Sequence, residues 1–314
     1  MDKPFKTYNQ QLKILRSRGM DIKNGSKAIS VLKRENYYNI INGYKEIFLD
    51  TNSTSCEVFK TRTKFEYIYS LFEFDRNLRG IFLKYILKLE SSMKSKISYY
   101  FSEEYKMPFN YLNTNNFKNT ELNEVTKLIS RISATIEKNT NIGQISHYLN
   151  NYKNLPLWVL MKKLDFGGMA FFYNALKEKI KIKICDEIFE EYSKEYKIKT
   201  AICQNCMQLG KMLFFVNRFR NACAHDERLY NLKITSKDIK FQHFYSSNIA
   251  NNYKLFDLLI ILKIFLTKKD FKKLILSLKE EFEDLKEILP NNIFNLVQIN
   301  MGFPKNWETL IYSI

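Results

Sequence analysis

"KFEYIYSLFEFDRNLRGIFLKYILKLESSMKSKISYYFSEEY", residues 64–105, decides the fold class. Apolar residues return at spacings of three and four for many turns, which predicts one long amphipathic helix, bent near Gly80. A helix of that length needs other helices to cover its apolar stripe, and the flanking sequence supplies candidates. Upstream, Leu12 and Leu15, then Ile29, Leu32 and Tyr37, give helical spacing, with Gly19 and Gly25 bracketing a turn. The polar "LDTNSTSCEVFKTRT" then reads as a loop. Downstream, "MPFNYLNTNNFKNTE" breaks the long helix, and a helix resumes over about 121–138. Residues 144–177 hold a short loop at Pro156, a helix, a break at Gly167-Gly168 and another helix. The apolar run "LFDLLIILKIFL" at 255–266 is interrupted by Asp257 and Lys263 and reads as a buried helix. In "DFKKLILSLKEEFEDLKEIL", Asp270 is placed to cap a helix that turns Leu274, Leu278, Phe282 and Leu285 inward.

Composition agrees. Nine glycines and five prolines in 314 residues argue against a turn-rich sandwich or barrel, and 45% hydrophobic residues suffice for a large core. We expect an all-α protein without internal repeats or a disordered linker, organised as an N-terminal helical extension over 1–60 and a helical domain over 61–314, or as one continuous unit. The N-terminal residues lack the apolar core of a secretory signal, and no stretch approaches the roughly 18 apolar residues of a membrane span. A cytoplasmic location is the expectation. Five cysteines, an odd number, suggest reduced thiols.

Fifty Lys and Arg against 33 Asp and Glu give a net charge of +17. A polyphosphate partner would select such an excess through counterion release, although lysines spread over solvated helix faces produce it too. The charge therefore needs a place as well as a sum.

Several chemistries lack their motifs: there is no Gly-rich phosphate loop followed by Lys-Ser/Thr, no G-x-S-x-G elbow and no His-Glu-x-x-His pair. Cys203 and Cys206, followed by Cys223 and His225, imitate a zinc set. However, the first pair sits in a helical pattern and the second has one intervening residue where zinc knuckles have two or more, so buried thiols are the better reading.

"NRFRNACAHDERLYN", residues 217–231, is more specific. On a helix Asn221 and His225 are i and i+4 and share a face, while Arg220 is about 100° round from Asn221 on a side chain long enough to swing across. Ala222, Cys223 and Ala224 are small, so a second helix could approach closely here. Arginine and histidine without a metal suit RNA, which carries its own nucleophile in the 2'-hydroxyl. Cleavage then needs a general base, a cation on the developing phosphorane charge and an acid for the leaving oxygen. One histidine does not comfortably supply both base and acid. A symmetric dimer would bring two. The plainer alternative is a histidine at a helix C-terminus with arginines satisfying carbonyls.

These residues resemble a known family. "RNACAH" with its "DERLYN" continuation looks like the R-x4-6-H motif of HEPN domains. The chain is also similar to the Abi-like (AbiD/AbiF) abortive-infection proteins in several blocks: "FKTYNQQLKILRSRGM", "ENYYNIINGYKEIF", "FDRNLRGIFLKYILKLE", "HYLNNYKNLPLWVLMKKLDFGGMAFFY" and "MGFPKNW". The resemblance implies a HEPN-like helical bundle with helical extensions at both ends and a composite site in a homodimer. It also implies metal-independent endoribonuclease activity, needing no cofactor, in phage defence or as a toxin. It makes Arg220 and His225 the catalytic pair and Asn221 their polar companion. Some members associate with a small structured RNA, which would make RNA a regulatory partner as well as a substrate. A catalytically silent RNA-binding protein is the alternative from another class, and a protein-binding scaffold a third.

The remaining candidates are basic or aromatic. Arg218 and Arg228 lie beside the motif, and Arg76 and Arg79 begin a series on the long helix with Lys84 and Lys88. A solvated face is the simplest account of that series, but Arg76, Arg79, Arg218 and Arg228 stand as candidate RNA contacts. His147 and Trp158 flank Pro156 and read as packing and capping residues.

Overall fold

The computed structural model describes residues 4–51, 57–118, 122–197, 206–234 and 253–313. Every regular element among them is helical, and extended pairing is limited to the isolated bridges Asp21–Lys64, Leu49–Phe59 and Phe117–Leu176. The chain is an all-α helical bundle.

Its axis is α3, Phe65–Glu104. Forty residues at 1.5 Å each make it about 60 Å long. The helix runs through Gly80 without a break, where the glycine faces open space. Ile68, Leu71, Leu78, Phe82, Ile86, Leu89, Met93 and Ile97 are all completely buried along it. Six helices cover them: α6 (Leu157–Met161), α7 (Phe166–Ala175), α8 (Glu178–Tyr196), α9 (Cys206–Ala224), α10 (Leu255–Phe265) and α11 (Lys268–Ile288).

The N-terminal segment forms α1 (Tyr8–Ser17) and α2 (Gly25–Glu35), which pack on each other. Thr7 and Gln10 make a reciprocal capping box for α1, and Asn24 caps α2. Two polar contacts tie this segment to α3: Glu35 pairs with Arg76, and the Tyr44 hydroxyl donates to Asp75. Beyond α3 come α4 (Leu122–Asn139) and α5 (Gly143–Tyr152), and after α11 the chain closes with α12 (Asn291–Met301) and α13 (Trp307–Ser313).

Three details refine the sequence pattern. The Gly167-Gly168 pair does not break a helix. The break precedes it, and Asp165 caps α7 by accepting the Gly168 N–H at 2.7 Å, so both glycines lie in its first turn. In α11 the cap is Thr267, whose hydroxyl accepts from the Asp270 N–H. Asp270 is in the first turn, where its charge suits the helix N-terminus and pairs with Lys88. The inward face is as expected, with Leu274, Leu278, Phe282 and Leu285 buried and Phe282 packed on Phe74, Phe303 and Trp307.

The third detail is that α10 is buried on every side, its two charges included. Asp257 accepts the Lys254 N–H at 2.9 Å. Lys263 lies over the Tyr196 ring, and its ammonium donates to the Ile311 carbonyl at 2.9 Å. Burial draws its pKa down to about 8. No helix among the described residues is long and apolar enough to cross a membrane.

Candidate functional site

Helix α9 carries the segment of interest at its C-terminal end. Leu209, Met212, Leu213, Val216, Phe219 and Cys223 follow the helical period and are buried, mainly against α3 and α7. Close approach to α7 requires glycine at 210: a Cβ there would stand 2.2 Å from Asn174 Oδ1. What α9 leaves outside is Phe214, Arg218, Asn221 and His225, spaced by four, three and four, which is one stripe. Arg218 and His225 are exposed and Asn221 is half-buried. Arg220 lies off the stripe, half-buried, with Nη1 3.4 Å from Asn221 Oδ1 and its Nε unpartnered among the described residues. The long arginine therefore reaches Asn221 as the spacing suggests.

The helix stops at His225 through a Schellman turn. The Glu227 N–H returns to the Ala222 carbonyl at 3.0 Å while Asp226 adopts a left-handed conformation, φ 57°, where glycine is usual. Two contacts from α3 offset that strain. Arg79 Nη2 donates to Asp226 Oδ1 at 2.6 Å, and one turn earlier on α3 the Asp75 carboxylate receives the N–H groups of Leu229 (3.0 Å) and Tyr230 (2.6 Å). Asp75 also accepts from the Tyr44 hydroxyl and from Arg79 Nη1, both at 2.7 Å. Burial raises the pKa of Asp75, and Tyr44, Arg79 and the two backbone N–H groups hold that rise back. For Arg79, burial opposes the charge, but the Tyr44 hydroxyl and the charges of Asp75 and Asp226 outweigh it and lift the guanidinium above its ordinary value. Three distant parts of the chain thus meet on one carboxylate. Its effect is to fix the turn that presents His225. No side chain among the described residues bonds the His225 imidazole, which leaves both ring nitrogens to an incoming group.

The sequence candidates separate accordingly. Arg79 is 4% exposed and occupied by Asp75 and Asp226, so it is a positioning residue of the turn and not a phosphate contact on a solvated face. Arg76 is neutralised by Glu35 and Glu73 and lies over the Phe72 ring at 4.5 Å. Arg228 is exposed and donates to the Gly43 carbonyl at 2.8 Å, tying the N-terminal segment to the motif. Arg218 is the member of the four left on the open stripe. Lys84 is exposed, and Lys88 is paired with Asp270.

The small residues also find another use. Ala222 and Cys223 are buried in their own chain, so the close approach they permit is that of α3; Ala224 alone of the three is exposed. Burial, with Asp75 nearby, pushes the Cys223 thiol up to about 12. Of the zinc-like set, Cys203 and the Cys206 side chain lie outside the described residues, while Cys223 is buried and His225 exposed. No cluster of three His, Cys, Asp or Glu suited to a metal occurs among the described residues.

Asp75 and Tyr44 were not among the sequence candidates. A signal existed for the first: an acid and a base at i and i+4, Asp75 and Arg79, both fall in the apolar phase of the long helix. Nothing in one dimension pointed to Tyr44.

Compared with known proteins, the chain matches the family model described as Abi-like protein over residues 30–231. No curated protein and no solved structure matches it. The matched residues are more than half of the chain. They begin in α2, include the whole of α3 and its Asp75 network, and end one residue beyond the Tyr230 N–H that closes it. The chain belongs to the Abi-like protein family.

Proposed function

We propose that the protein is a metal-independent RNA endonuclease of HEPN type acting in abortive infection, a role that family membership supports. The observation that carries this reading is the open imidazole of His225. It is exposed and unbonded among the described residues, and it shares a stripe with Asn221 and Arg218, on a helix end that a buried carboxylate pins in place. A free histidine on a mobile tail could not position a proton to within a bond length; one on a pinned turn can.

In this mechanism His225 removes the proton from a ribose 2'-hydroxyl, whose oxygen attacks the adjacent phosphorus. Arg220, reaching across toward Asn221, meets the charge that grows on the phosphoryl oxygens. The bond to the 5'-oxygen breaks and a second imidazole protonates the leaving oxygen, giving a 2',3'-cyclic phosphate and a 5'-hydroxyl. That second group is His225 of another copy, with exposed Phe214 and Ala224 beside the stripe as contact surface. Asn221, held by Arg220, orients the arginine between the two.

The test is cleavage of RNA by purified protein in EDTA. Wild type should cut RNA to cyclic-phosphate ends and leave an all-DNA strand intact, and His225→Ala should lose about 10² to 10⁴ in rate while still retaining RNA. Equal cleavage by His225→Ala would remove the catalytic assignment. Light scattering should show a dimer, and RNA affinity should fall steeply with salt.

A further inference from the structure

Trp158 was expected to be a packing residue, yet it is 54% exposed, whereas the other tryptophan, Trp307, is 2% exposed. It stands on α6 as the wall between two cavities. The first, of about 390 Å³, runs along α3 past Glu90, Lys94 and Lys162; the second, of about 280 Å³, is lined by Tyr105, Lys106 and Asn154.

Both cavities contain buried polar atoms without partners among the described residues: Glu90 Oε2 in the first, Tyr105 Oη and Asn154 Oδ1 in the second. Glu90 is not an open negative charge, since its other oxygen is paired with Lys94 at 2.7 Å, and Lys94 also donates to the Leu164 carbonyl. At the rims, Lys106 and Lys162 are exposed and meet no carboxylate among the described residues. The neighbouring α5, which touches α6, adds exposed Tyr152 and His147. Exposed rings near exposed lysines suit a flexible polyanion with flat bases, because any base can stack on an aromatic face while its phosphates meet the cations. The net charge of +17 fits the same partner.

We propose that this double cavity is a binding subsite for single-stranded RNA, separate from the α9 stripe. One base stacks on the Trp158 indole, and flanking phosphates meet Lys106 and Lys162. The subsite rests on RNA being the polymer handled at His225, but its test is independent of cleavage.

The probe is a ten-nucleotide oligoadenylate, titrated into full-length protein carrying His225→Ala so that the strand stays whole. Saturable quenching of tryptophan emission is expected and should vanish in Trp158→Phe, because Trp307 is shielded. Affinity measured with a fluorescent end label should fall about 5- to 100-fold in Trp158→Ala and recover most of the way in Trp158→Phe. Lys162→Glu should weaken binding and flatten its salt dependence. Unchanged emission at saturation, or equal affinity in Trp158→Ala, overturns the subsite. Equal oligoadenylate affinity in Trp158→Ala beside RNA cleavage by the wild type overturns the subsite and leaves the nuclease reading standing. Oligoadenylate binding through Trp158 in a wild-type protein that cuts no RNA does the reverse.

Discussion

Replacing Asp75 with alanine tests the central structural claim, that one buried carboxylate holds the end of α9. Asp75 is fully buried and bonded to Tyr44, Arg79, Leu229 and Tyr230. Its removal leaves two backbone N–H groups and a hydroxyl without acceptors and leaves Arg79 with the exposed Asp226 as its remaining carboxylate. Orphaning the partner of a buried ion pair costs about 3–5 kcal/mol, and each stranded N–H a further 1–3 unless water enters. Opening the site beside exposed Asp226 lets water reach the stranded N–H groups, so the ion-pair term is what remains, roughly 4 kcal/mol. Against a total stability of about 5–15 kcal/mol this is a large fraction. Urea denaturation followed by circular dichroism at pH 7 should show the loss as a lower midpoint at unchanged slope. Because Asp75 and Arg79 act together, the Asp75→Ala/Arg79→Met double variant should lose less than the two single losses combined, by at least about 1 kcal/mol. A loss below about 1.5 kcal/mol for Asp75→Ala, or strict additivity with Arg79→Met, would refute the network as the anchor of the turn.

His225→Ala, by contrast, should leave stability within about 0.5 kcal/mol of wild type, since the ring is exposed and unbonded; a larger loss in the same urea assay would mean that its lost activity reports unfolding. Lys263 has a folded pKa of about 8 against 10.5 for the free side chain, so the unfolded chain binds more protons between those values. Stability of the wild type relative to Lys263→Met should therefore rise with pH across about 8 to 10.5, by about 3 kcal/mol. A flat difference across that window would show that Lys263 is solvated. Gly210→Ala should destabilise by roughly 1–2 kcal/mol, because the added methyl displaces Asn174 from the Ala170 carbonyl. Adding Asn174→Ala should restore the loss, leaving the helix preference of alanine over glycine; no rescue would place the clash elsewhere.

Much of the fold was legible in sequence because it is periodic. The apolar phases of α3 and α11 were read from spacing alone, since a buried stripe imposes its repeat on every turn, and α10 from its apolar run. The errors lie where one residue's role depends on another far away. Asp270 and Thr267 are both competent caps, and only the position of Lys88 on α3 decides which role the aspartate takes. Arg79 looks like any arginine on a charged face until Asp75 and Asp226 are seen to enclose it. The pair at 220 and 225 was visible as a motif, together with the reach of Arg220 to Asn221. That Ala222 and Cys223 serve α3, and that Trp158 is open, depends on which helices become neighbours, which spacing does not encode.

The bonds from Asp75 to Leu229 and Tyr230 join residues 154 and 155 positions apart. On a ribosome adding about 5–20 residues per second, Asp75 emerges roughly 8–30 s before the groups that complete it. Through that interval the carboxylate and Arg79 have only each other and Tyr44, and the segment bearing His225 does not yet exist. The turn that aims the imidazole can form only once nearly three quarters of the chain has been made and α3 has captured it. Long-range closure of this kind is also slow by its entropy. Assembly of the α9 stripe is therefore among the last events in the life of a new chain, and a nascent or truncated copy carries the long helix without the means to present His225.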